Sequence, residues 1–107
     1  MELKIKETDL VNQCLDYLSY KKIFAFRANT MGNYNPKTNS YYKNPRLMRG
    51  VADILCCING KFIGIECKTG KNTMSEHQEL FKDNLLKAGG EYWLIYSLEE
   101  LEAKIKN

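Results

Sequence analysis

Acidic residues are missing from a long stretch of this chain. From Tyr17 to Ala52 there is no Asp or Glu, against seven basic residues (Lys21, Lys22, Arg27, Lys37, Lys43, Arg46 and Arg49). Histidine is nearly absent: His77 stands alone, which excludes chemistry built on two or three imidazoles. Cysteines Cys14, Cys56, Cys57 and Cys67 have no paired CxxC spacing and sit among apolar neighbours. They read as buried, reduced thiols of a cytosolic protein, and a zinc site is not expected. No apolar run approaches the roughly 18 residues of a membrane helix, and the opening MELKIKETD has no signal-peptide core. No membrane association and a cytoplasmic location are therefore expected. There is no phosphate-cradling glycine motif and no nucleophile–His pair, so a metabolic enzyme is poorly supported.

What is present suits one soluble domain spanning 1–107, with 44% hydrophobic and 27% charged residues. The net charge of +3 is modest, but with every acid outside 17–52 it is strongly segregated. Tyr34, Tyr41 and Tyr42 are interleaved with those basic residues. Such a segment is either a solvated basic loop or a surface for phosphates with aromatic rings that stack on bases.

Leu10, Val11, Cys14, Leu15 and Leu18 have the spacing of an amphipathic helix over 8–20, with Thr8 as its N-cap and Glu7 on the inward face if the helix extends back. Residues 23–29 read as a strand. A segment of about twenty residues rich in Asn, Gly, Tyr and Pro follows with no clear period, long enough to suggest a functional loop. Residues 51–68, VADILCCINGKFIGIECK, form two strands joined at Asn59-Gly60, the dipeptide best suited to a type I′ turn. Ser75 with Gln78 is a capping-box pattern, opening a helix that ends at Gly89-Gly90. EYWLIY is a strand, and Ser97 with Glu100 caps a last helix. The order is α-β-loop-β-β-α-β-α, an α+β fold.

The hairpin raises a chemical question, because Asp53, Glu66 and Lys68 are residue types that avoid buried strands. A two-residue turn places Ile58 opposite Lys61, and counting outward places Asp53 opposite Glu66 and Val51 opposite Lys68. Strand side chains alternate, so the three charged residues share one end of one face. The other face collects Ile54, Cys56, Ile58, Ile63, Ile65 and Cys67. Two facing carboxylates repel unless a divalent cation lies between them or one holds a proton. Mg²⁺ prefers hard oxygen and commonly takes one or two protein carboxylates, and Lys68 would stand beside it. A simple Lys–carboxylate pair at a solvated strand end is the plainer alternative.

These residues resemble a known family. Asp-x12-Glu-x-Lys on a hairpin, in an αβββαβ order, is similar to the PD-(D/E)xK nuclease superfamily. More narrowly, Arg49-Gly50-Val51-Ala52-Asp53, then GKFIGIECKTGKNTMSEHQ and KAGGEYWLIYSLEEL, resemble the VRR-NUC family, whose short stand-alone members include phage proteins. The resemblance spans about residues 5–103 and implies a restriction-endonuclease-like core of mixed sheet flanked by helices, with an added C-terminal helix. It implies Asp53, Glu66 and the Cys67 backbone carbonyl as ligands of Mg²⁺ or Mn²⁺, with Glu7 as the helix-1 acid that approaches the metal. Lys68 would be the catalytic lysine and Gln78 the glutamine of the following helix. Gln78 also has its capping role, and Glu7 also suits a first-turn acid complementing the helix dipole. Ala52 replaces the proline of the superfamily signature, a position that is not a ligand.

The expected function is a metal-dependent DNA endonuclease, structure-specific for branched or Holliday-junction DNA, acting as a homodimer, in a host cytoplasm if phage-encoded. DNA would be held by Arg27, Lys43, Arg46, Arg49, Lys71, Tyr41 and Tyr42. Two rivals keep the same fold: a non-catalytic nucleic-acid-binding module, and an adaptor whose Tyr-rich loop docks a replication or recombination partner.

Overall fold

A computed structural model describes residues 5–28, 34–35, 40–41 and 48–105. In chain order the elements are α1 (Glu7–Tyr20), β1 (Phe24–Arg27), β2 (Tyr34–Asn35), β3 (Ser40–Tyr41), β4 (Ile54–Ile58), β5 (Lys61–Cys67), α2 (Glu76–Lys87), β6 (Glu91–Ile95) and α3 (Leu98–Ile105). Strands β1-β4-β5-β6 form one mixed sheet, antiparallel except for the parallel β5–β6 pair. Because a parallel pair needs a crossover, α2 is the connection that carries the chain from β5 back to β6. The result is an αβββαβ core with a C-terminal helix. Among the described residues no helix is long and apolar enough to cross a membrane.

The β4–β5 register follows from its turn. Asn59 and Gly60 both adopt positive φ, +51° and +81°, as a type I′ turn requires. Ile58 pairs with Lys61 and Ile54 with Ile65, the register expected from the sequence. Alternation then assigns every side chain a face. Ile54, Cys56, Ile63, Ile65 and Cys67 enter a core with Trp93 and Ile95, covered by Leu10, Val11, Cys14 and Leu18 of α1 and Leu101 of α3. Ile58, expected inside, is only half-buried at the turn.

The opposite face is also covered. Phe81 and Leu85 of α2 pack on Ala52, with Val51, Leu55 and Tyr92 around them. The face that bears the three charged residues is therefore roofed by a helix over part of its area, so those charges are enclosed rather than solvated.

Three local features differ from the sequence reading. Helix α1 begins at Glu7, with Lys6 at the N-cap position and no side-chain cap bond, so Thr8 lies inside the helix. The acids Glu7 and Asp9 in its first turn favour that end through the helix dipole instead. The segment read as an unstructured loop contains a two-stranded pairing, Tyr34 with Tyr41 and Asn35 with Ser40. Cys57, grouped with the buried thiols, is exposed, because one step along a strand reverses the face.

Candidate active site

Asp53 immediately precedes β4, Glu66 lies near the end of β5 and Lys68 just beyond it. The backbone fixes this corner from both sides. Ala28 N–H donates to the Asp53 carbonyl at 2.9 Å, and Lys68 N–H donates to the Ile95 carbonyl at 3.0 Å, so the sheet ladders extend past the strand ends. One Asp53 carboxylate oxygen, Oδ2, accepts the Cys67 N–H at 2.8 Å. Asp53 is thereby tied to the residue between Glu66 and Lys68.

All three side chains are enclosed: Glu66 is 2% exposed, Asp53 7% and Lys68 9%. Lys68 Nζ lies 3.8 Å from Glu66 Oε2, which also accepts from Gln78 Nε2 at 3.1 Å. The other Glu66 oxygen, Oε1, is buried with no hydrogen-bond partner among the described residues. Burial, and next the Asp53 charge, push the Glu66 carboxyl up to about 8, with the Lys68 cation opposing them. Without a metal, then, one of the two facing carboxyls holds its proton at neutral pH, one of the two resolutions considered for the pair.

Gln78 does two jobs with one amide. Its backbone N–H donates to Ser75 Oγ at 3.2 Å while its side-chain oxygen accepts Ser75 N–H at 2.8 Å, a complete capping box. That leaves the NH₂ end free to reach Glu66. The first turn of α2 is held in turn by Gly50, whose φ is +74°. A Cβ there would fall 2.2 Å from the His77 carbonyl oxygen and 2.6 Å from Gln78 N, so only glycine allows this approach. Arg49 is drawn alongside, with Nη1 3.5 Å from His77 Nε2.

Glu7 is held from the link after β5. Its carboxylate accepts a hydrogen bond from Asn72 Nδ2, and the Asn72 carbonyl accepts one from Tyr96 Oη at 2.7 Å. Glu7 thus ties the start of α1 to the link after β5 and to the residue after β6. Among the described residues, no three His, Cys, Asp or Glu side chains gather as a ready metal-ligand set. Of the residues expected to contact DNA, Arg27, Arg49 and Lys71 are exposed, and Arg27 pairs with Ile54, which puts it on the α1 face of the sheet rather than on the face of the charged corner. Tyr41 contributes its backbone to β3, and Tyr42, Lys43 and Arg46 lie outside the described residues.

The donor chemistry fits a hard divalent ion in part. Two buried carboxylates converge, one with a bare oxygen, while the Cys67 side chain is 0% exposed in the apolar core. That set offers oxygen rather than sulfur or imidazole, which suits Mg²⁺ or Mn²⁺ completed by water and phosphate oxygens. Sequence reasoning did not single out Gly50, Asn72, Tyr92 or Tyr96. Gly50 lay inside a quoted motif, but its contact with His77 spans 27 positions and leaves no local mark. Comparison of the sequence with protein-family models and with curated proteins finds no match.

Proposed function

We propose that this protein is a divalent-metal-dependent DNA endonuclease. The observation that carries the reading is the enclosure of Asp53, Glu66 and Lys68 in one corner, with Gln78 braced on Glu66. Burying two carboxylates and a lysine is costly, and such enclosed titratable clusters concentrate at functional sites. Asp53 and Glu66, with the Cys67 carbonyl, would hold Mg²⁺ or Mn²⁺. When bound, such an ion activates water and stabilises charge on phosphate oxygens.

The chain's own groups do the rest. The Cys67 N–H keeps Asp53 in one orientation. Gln78 fixes the Glu66 carboxylate against rotation, and Lys68, 3.8 Å from it, places a cation where a phosphate oxygen or an attacking water can meet it. The α2 roof limits access of bulk water, which strengthens each charge interaction. Arg27, Arg49 and Lys71 are exposed cations and would position the DNA backbone. Branched or Holliday-junction DNA as substrate, and a homodimer giving paired incisions, extend the same proposal.

The test combines purified protein with labelled four-way junction, flap, linear duplex and single strand, with and without Mg²⁺ or Mn²⁺. Metal-dependent cleavage that Asp53→Ala and Glu66→Ala both abolish is expected. Salt-sensitive DNA binding with no cleavage of any substrate would favour the non-catalytic module instead.

A further inference from the structure

Tyr92 occupies a position that stability alone does not explain. It lies on β6 opposite Gly64, two residues before the Leu94–Glu66 pair, so its side chain shares the α2 face with Glu66. Its ring packs edge-on against Phe81, with centroids 6.2 Å apart. Its hydroxyl is buried with no hydrogen-bond partner among the described residues, as is Glu66 Oε1. Two stranded oxygens on one face are unusual, since buried polar groups nearly always find partners. A phenylalanine would fill the same space without leaving an oxygen behind.

The Tyr92 hydroxyl and the Glu66 carboxyl lie close enough to interact. Burial pushes the Tyr92 phenol well above its usual range, and the Glu66 charge acts the same way, ahead of Asp53 and Glu79. A carboxylate can only accept, whereas a hydroxyl donates and accepts, so the pair is chemically matched. Gln78 already holds the Oε2 side of Glu66, and the Oε1 side has no support of its own.

We propose that Tyr92 is a positioning residue for Glu66, its hydroxyl set to donate to the Oε1 side of the carboxylate while Gln78 holds the other. The proposal rests on the reading of Glu66 as a metal ligand. Groups that orient a ligand from behind are worth about 10- to 100-fold in metal affinity. Tyr92 would act on metal binding itself, before any DNA arrives.

Manganese affinity of the full chain, measured without DNA by calorimetry or by the free-ion electron-spin signal, tests this. Parent, Tyr92→Phe and Gln78→Ala would be compared, alongside urea unfolding of each in EDTA. Tyr92→Phe should weaken Mn²⁺ binding about 10-fold, with metal-free stability unchanged or raised. Equal affinity in parent and Tyr92→Phe would overturn the assignment. So would a loss of metal-free stability, which marks the hydroxyl as structural. If Gln78→Ala weakens Mn²⁺ binding and Tyr92→Phe does not, the metal reading stands and the Tyr92 assignment falls. A parent that binds no Mn²⁺ removes both.

Discussion

Glu66 concentrates the conflict between stability and chemistry in this molecule. Its carboxyl is raised from 4.5 to about 8, chiefly by burial and then by Asp53. A raised carboxyl makes the folded state bind the extra proton, so its stabilising effect is full below about 4.5 and is lost as pH rises through about 8. Urea unfolding in EDTA should accordingly show stability falling across that window. Glu66→Gln, which cannot ionise, should flatten the slope and be the more stable chain near pH 8. The thiols make a second residue-scale prediction. Burial pushes Cys56 up to about 11, while the Cys67 thiol is pushed upward by its hydrogen bond with Cys14 and by burial. Native protein at neutral pH should therefore react with a thiol reagent at Cys57 alone, and denaturant should expose the other three. Peptide mapping of the labelled site checks this.

At the scale of elements, the first turn of α2 links folding to the site. Ser75→Ala removes the hydroxyl that caps it and should cost about 1 kcal/mol in urea unfolding. The same change keeps the Ser75 backbone N–H that holds the Gln78 side-chain oxygen, so the amide still reaches Glu66 and any cleavage activity should fall no further than the lost stability explains. Gly50→Ala meets the His77 carbonyl at a backbone that cannot yield cheaply and sits at φ +74°, so a loss above about 1 kcal/mol is expected. The hairpin was legible in the sequence because Asn59-Gly60 fixes its register locally and a one-residue slip would turn every apolar side chain outward. The capping box of α2 was legible for the same local reason. The N-cap of α1 was not legible, because Thr8 is a good cap residue but the acids around it favour a cap two residues earlier, at Lys6. The roof over the charged face was not legible, since nothing in the β4–β5 alternation says that Phe81 and Leu85 will pack on Ala52. Tyr92 and Gly50 escaped notice because their partners are distant in the chain and become neighbours only through the crossover.

The whole molecule combines an enclosed charged corner with exposed cations. Arg27 ends β1, Arg49 leans on the start of α2 and Lys71 follows Lys68 closely, so three chain segments carry exposed positive charge. Arg49→Glu should weaken DNA binding and reduce its salt dependence, while leaving metal-free stability nearly unchanged. Binding isotherms over a series of salt concentrations would reveal this. The central claim is that Asp53, Glu66 and Lys68 form a metal-dependent catalytic corner, and Glu66→Gln tests it most directly because it keeps the side chain's shape. The measurement is the single-turnover cleavage rate of parent and Glu66→Gln on the same DNA at saturating Mg²⁺, with unfolding of both followed in parallel. A variant at least as stable as the parent that cuts at least about 100-fold more slowly is the predicted result. A Glu66→Gln chain that cuts at the parental rate would contradict the account.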